Sequence, residues 1–163
     1  MYKQLSIEKR NLEKIRNAVI LSSTLLETAV DQIVNIVANK LHISIFQKML
    51  KRTFVPVSVK IQKLHSQGLI GEDLHKNMVL LFKIRNKFAH QVFSSAKEAI
   101  PTFTPLNDAK TKNTYLQRLP NDSVKFELFV SKCFVEMLLI AKKLDPESVM
   151  ELELVGEFKP VED

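Results

Sequence analysis

The chain is poor in the residues on which several functional classes depend: one cysteine, three glycines and no tryptophan among 163 residues. A lone Cys133 cannot build an internal disulfide framework, so a reducing, cytoplasmic setting is the expectation. Gly68, Gly71 and Gly156 cannot supply a glycine-rich nucleotide loop. The four histidines (His42, His65, His75 and His90) lie 10 to 23 residues apart. No zinc-type pairing is legible in that spacing, so no metal and no cofactor is expected. Apolar runs are brief, as in Met137–Ala141 before Lys142, and the N-terminus has no apolar core. Neither a membrane span nor a signal peptide is expected.

Charge is present in quantity and unevenly placed. Lysine and arginine total 24 against 18 acids, a net charge of +6. Residues 146–163 hold six acids against the single base Lys159, whereas residues 32–97 hold eleven bases against only Glu72 and Asp73. A basic stretch of this density favours a polyanionic partner, because neutralising phosphates releases counterions. A solvated basic surface that keeps the protein soluble is an equal alternative. The acidic tail can also fold back over the basic body as an internal counter-charge.

Periodicity gives the architecture. From Leu5 to Leu41 there is no glycine or proline, and apolar residues recur at three- and four-residue steps through Leu12, Val19, Leu26 and Ile33. That pattern predicts an amphipathic helix, with Ser6 as its N-cap. One unbroken helix would run about 50 Å, so a break near Ser22-Ser23 is considered. Ile45, Phe46, Met49 and Leu50 predict a short second helix. Pro56 suits the first turn of a third, with Gly68 as its stop. Gly71 leads into a fourth helix, with Glu72 and Asp73 at its positive end and a stripe of Leu74, Met78, Leu81, Arg85 and Phe88.

After His90 the periodicity fades into a long connection through Pro101, Pro105 and Pro120, and Phe93 and Phe103 fall outside any stripe, as does Phe54. A last helix, capped by Asn121, Asp122 or Ser123, carries Phe126, Val130, Cys133, Met137, Ile140 or Ala141, and Leu144 inward; Asp145-Pro146 ends it. Glu151–Leu154 alternates like a short strand. The expectation is an all-α compact helical bundle over residues 1–145, with a long loop before the last helix and an acidic tail over 146–163. Cys133 reads as a small core residue, and His42, His65 and His75 as surface histidines.

An arginine inside an apolar stripe is unusual, and it begins the segment Arg85-Asn86-Lys87-Phe88-Ala89-His90. This segment resembles the Arg-Asn-x-x-x-His signature of the HEPN superfamily, small helical bundles of which many are metal-independent ribonucleases acting as toxins or phage-defence effectors. The order Ile61–Leu64, Gly68-Leu69-Ile70, Asp73-Leu74 and Ile84–His90 also resembles the mannitol operon repressor family. The similarity covers roughly residues 57–93. It implies a homodimer in which two such motifs face one another, with Arg85, Asn86 and His90 as catalytic residues.

The chemistry agrees with the residue types. Metal-free RNA cleavage needs a proton acceptor, a proton donor and positive charge at the phosphate. Histidine titrates near neutrality, arginine grips phosphate through two parallel hydrogen bonds, and asparagine both donates and accepts. Lys51, Arg52, Lys83 and Lys87 are the expected RNA-phosphate contacts. Residues five apart on a helix diverge by about 140°, so Arg85 and His90 converge only if the helix ends near His90 or a second protomer completes the site. Two readings follow: a ribonuclease, possessing an antitoxin or regulatory protein as partner, or a non-catalytic regulator working through protein contacts. An architectural role is open as well, with Arg85 pairing to Glu27 or Asp31 and His90 serving the helix end. No helix-turn-helix pattern for reading a major groove is legible.

Overall fold

A 38-residue helix, α1 (Tyr2–Asn39), forms the axis of the computed structural model, which describes residues 2–108 and 122–147. It begins before Ser6, which therefore lies inside the helix and does not cap it. Nor does it break at the serine pair. Ser23 Oγ donates to the Val19 carbonyl at 2.6 Å, Thr24 to Ile20 at 2.9 Å and Thr28 to Thr24 at 3.0 Å. Hydroxyls satisfied on the preceding turn leave no reason to abandon the helix. The buried stripe of Val19, Leu26, Ile33 and Val37 is the centre of the core. By length and composition alone, Glu8–Asn39 is apolar enough to cross a membrane, but here that stripe is covered by the other helices.

His42, in the left-handed region at φ 54°, turns the chain into α2 (Ser44–Leu50). Pro56 then precedes α3 (Val57–Ser66), whose Ile61 and Leu64 face the core. Gly68, at φ 70°, closes the turn; its N–H donates to His65 and that of Leu69 donates to Leu64. A Cβ at this φ is strained, which is why glycine stands here. Gly71 caps α4 (Glu72–His90), with Glu72 and Asp73 in its first turn.

The connection after α4 is more ordered than its sequence predicts. It holds α5 (Ala96–Ala99), a 3₁₀ turn (Ile100–Phe103) and α6 (Thr104–Asp108). Ser95 Oγ accepts from the Glu98 N–H, while the Glu98 carboxylate accepts from both the N–H and the hydroxyl of Ser94 at 2.6 Å. These hydrogen bonds hold the Glu98 carboxyl below its ordinary range. Prolines at the starts of short helices are tolerated there, and they do not mark irregular chain. Phe93 and Phe103 are core residues: Phe88 lies 5.2 Å from Phe93 and 5.1 Å from Phe103, ring centre to ring centre.

The last helix, α7 (Asp122–Leu144), lies along α1 and buries Phe126, Phe129, Val130, Cys133, Met137 and Ala141. Beyond it, buried Asp145 accepts an ion pair from Lys40 at 2.7 Å, tying the ends of α1 and α7 together. No strand occurs among the described residues, and the fold is an all-α helical one. The expected strand at Glu151–Leu154, the cap at Asn121 and most of the acidic tail lie outside the described residues.

Candidate functional site

The alternation of Ile84 and Phe88, both buried, fixes which way the end of α4 faces. Arg85 is thereby left at the edge of the core with its side chain 28% exposed. Its Nη2 lies 3.4 Å from Glu27 Oε2, its Nη1 donates to Asn86 Oδ1 at 3.0 Å, and its Nε is buried with no hydrogen-bond partner. Of the two carboxylates the sequence offered, Glu27 is therefore the partner of Arg85. Asp31 instead takes Lys60 at 2.6 Å.

Asn86 and His90 are exposed. His90 is the last residue of the helix, and Gln91 leaves it with extended backbone at φ −91° and ψ 135°. The helix thus ends where the periodicity fades. It stays regular through His90, so the roughly 140° divergence from Arg85 persists within one chain.

A second guanidinium reaches this end of α4. Arg16 Nη2 donates to the Gln91 carbonyl at 3.0 Å, and Arg16 Nε, like Arg85 Nε, is buried without a partner. Sequence reasoning missed Arg16, although a signal existed. It sits four residues after Leu12 and three before Val19, interrupting the stripe of α1 as Arg85 interrupts that of α4.

Lys51, Arg52, Lys83 and Lys87 are all exposed. Arg52 lines a cleft of about 330 Å³ together with Glu27, Asp31 and Lys60. Glu27 belongs both to that cleft and to the Arg85 pair, so Arg52 and Arg85 share one neighbourhood. Lys51 does not line this cleft. Glu27 and Asp31, the carboxylates of that cleft, are each engaged by a cation. Lys83 and Lys87 stand two positions either side of Arg85, about 160° from it round α4, and so lie on the side of His90 and not on that of the cleft.

Two features lie away from this end. An apolar groove of about 590 Å³ runs between α1 and α7, lined by Leu21, Leu25, Val130 and Phe134. Leu21 is 69% exposed and Leu25 51%. At the start of α4, His65, Glu72 and His75 gather: His65 Nε2 lies 2.8 Å from Glu72 Oε2, and the two imidazoles stack with centres 4.3 Å apart. Lys76 Nζ holds the other Glu72 oxygen at 3.0 Å, and that bond and charge keep the Glu72 carboxyl below its ordinary range. Cys133 is no nucleophile, since burial pushes its thiol up to about 12.

Comparison of the chain with protein-family models, with curated proteins and with solved structures finds no match.

Proposed function

We propose that this chain is a metal-independent endoribonuclease of the HEPN type, toxin- or defence-like, built around Arg85, Asn86 and His90. The observation that carries the reading is an exposed His90 at the end of α4, with Arg85 five residues earlier and Arg16 bonded to the residue that follows. In this reading RNA meets Arg52 and its neighbour Lys51 on the Arg85 side, and Lys83 and Lys87 on the His90 side of α4. The phosphate of the scissile bond displaces Glu27 from Arg85, whose hydrogen bonding is incomplete in the free protein.

Chemistry then requires two proton-transfer groups. The substrate 2′-oxygen attacks phosphorus and gives up its proton, the bond to the 5′-oxygen breaks, and that oxygen receives a proton. A homodimer supplies one His90 for each transfer, which resolves the divergence of Arg85 and His90 within one chain. The products are a 2′,3′-cyclic phosphate and a 5′-hydroxyl. The test is to incubate the full chain with a broad RNA mixture in a chelator and analyse the ends produced. Cleavage with cyclic-phosphate ends supports the reading, and an absence of cleavage across the mixture contradicts it.

A second reading is favoured by the apolar groove between α1 and α7. Exposed Leu21 and Leu25 offer a protein-binding face, as a non-catalytic regulator resembling the mannitol operon repressor family would use. Leu21 and Glu27 are six positions apart, about 120° round the helix, so this face is not the one that carries the motif. Arg85 would then serve architecture through Glu27, and Glu27→Gln would weaken the fold with no consequence for RNA.

A further inference from the structure

Folding of the α3–α4 turn creates a constellation that neither the ribonuclease reading nor the regulator reading uses. His65 stands in the last turn of α3, Glu72 opens α4, and His75 follows one turn later. One donor atom from each, a ring nitrogen of either histidine and a carboxylate oxygen of Glu72, lies within 4.8 Å of the other two. The rings of His65 and His75 are close to parallel, 7° apart, and both are only partly buried, so their edges are reachable from solvent.

We propose that His65, Glu72 and His75 form a binding site for one divalent transition-metal ion of the zinc class. Two imidazoles and one carboxylate are a donor set that zinc accepts with a fourth position left for water. Magnesium and calcium prefer all-oxygen surroundings, so they are the wrong ions for it. Metal–ligand bonds of about 2.0–2.2 Å place tetrahedral donors about 3.3 Å apart. Closing the observed spread by about 1.5 Å takes side-chain rotations at the surface that turn the two imidazoles out of their stack. The ion replaces the His65–Glu72 hydrogen bond and takes Glu72 Oε2, while Lys76 keeps Oε1 and orients the carboxylate from behind.

The backbone beneath the site is fixed. Gly68 makes the turn between the two histidines, and the flanking Leu64, Ile70 and Leu74 are buried. A metal at this place clips α3 to α4 and stabilises the folded chain by mass action. Competing soft ligands are not available, because the only thiol, Cys133, is buried. The site lies about 22 Å along α4 from His90, counting fifteen residues at the helical rise. It therefore stands or falls independently of RNA cleavage.

The experiment titrates full-length, tag-free protein with zinc chloride, read by calorimetry and by melting temperature, with magnesium chloride in parallel. The expected result is saturable binding of one zinc per chain at micromolar concentration, a melting temperature that rises with zinc, and no response to magnesium. His65→Ala and His75→Ala each abolish both signals, Glu72→Gln weakens binding by about tenfold or more, and His42→Ala leaves it unchanged. In the parent, zinc moves the imidazole NMR signals of His65 and His75 and not those of His42 and His90, a measurement that needs no variant to fold. No saturable zinc binding in the parent overturns the proposal, as does binding that persists in the double variant His65→Ala with His75→Ala.

Discussion

The two ends of α4 are built from similar residue types and differ in how completely their polar groups are engaged. At the start, Glu72 has both oxygens occupied, by His65 and Lys76, and His75 stacks on His65. At the finish, Arg85 makes one long ion pair and one hydrogen bond of ordinary length, its Nε has no partner, and the exposed His90 side chain makes no hydrogen bond or ion pair among the described residues. Satisfied groups at one end hold a turn together. Unsatisfied ones at the other, attached to a rigid helix beside a basic surface, are what a site for an incoming anion requires.

Core packing lies beneath both ends, and its removal under the second is the largest effect expected. Phe88 is fully buried beneath the motif, against Phe93 and Phe103. Phe88→Ala should cost about 3–5 kcal/mol in urea unfolding. His75→Ala, at a half-open surface, should cost a small fraction of that in the absence of metal. Equal costs would show that Phe88 is not the packing centre beneath the motif.

Charge comes next. Lys51→Glu combined with Arg52→Glu should reduce RNA affinity by about tenfold or more, and the salt slope should become shallower by about 1 for each lost phosphate contact. Filter binding across a salt series reads both. Affinity that ignores salt, or a double variant that binds like the parent, would move the RNA surface elsewhere.

Glu27→Gln separates the two roles of Arg85. The pair is partly exposed and long, so its loss should cost about 1 kcal/mol or less of stability. The same change frees Arg85 and removes a negative charge from the cleft, so RNA should bind more tightly. A loss of stability with no gain in RNA affinity would assign Arg85 to architecture.

The smallest effect is a pH slope confined to the acidic side. Glu72 and Glu98 both have carboxyls held below the usual glutamate value of 4.5, the first by Lys76 and the second by Ser94. A carboxyl lowered in the folded state stabilises it above the unfolded value, and that contribution fades as pH falls through the lowered one. Both groups are exposed, so the slope should be slight. Glu72→Gln should flatten its own share of it in acid denaturation, leaving the neutral range untouched.

What was legible in the sequence followed from local rules. Pro56, Gly68 and Gly71 mark the ends of α3 and α4 because proline, left-handed glycine and a capped acidic first turn each act within a few residues. Arg85 is conspicuous as a charge in a stripe; Arg16 is the same anomaly on α1, without a surrounding motif to single it out. Ser95-x-x-Glu98 was a local signal too, yet Pro101 and Pro105 beside it read as loop. A break near Ser22 and Ser23 is expected from the length of an unbroken helix, whereas here both hydroxyls bond to carbonyls of the preceding turn and the helix runs on. The pairing of His65 with His75 was not legible at all. Ten residues of separation become ring contact only through the turn at Gly68, which is a tertiary fact.

The central claim, that the end of α4 is a reacting centre and not a brace, is tested most directly by RNA cleavage in parent and His90→Ala proteins side by side. His90 is exposed, so the substitution should cost less than about 0.5 kcal/mol and leave circular dichroism and melting temperature unchanged. The account predicts that the parent cleaves RNA in a chelator and that the folded variant loses that activity by about 10²–10⁴-fold. A parent that cleaves no RNA, or a folded His90→Ala protein that cleaves it as well as the parent, would contradict it.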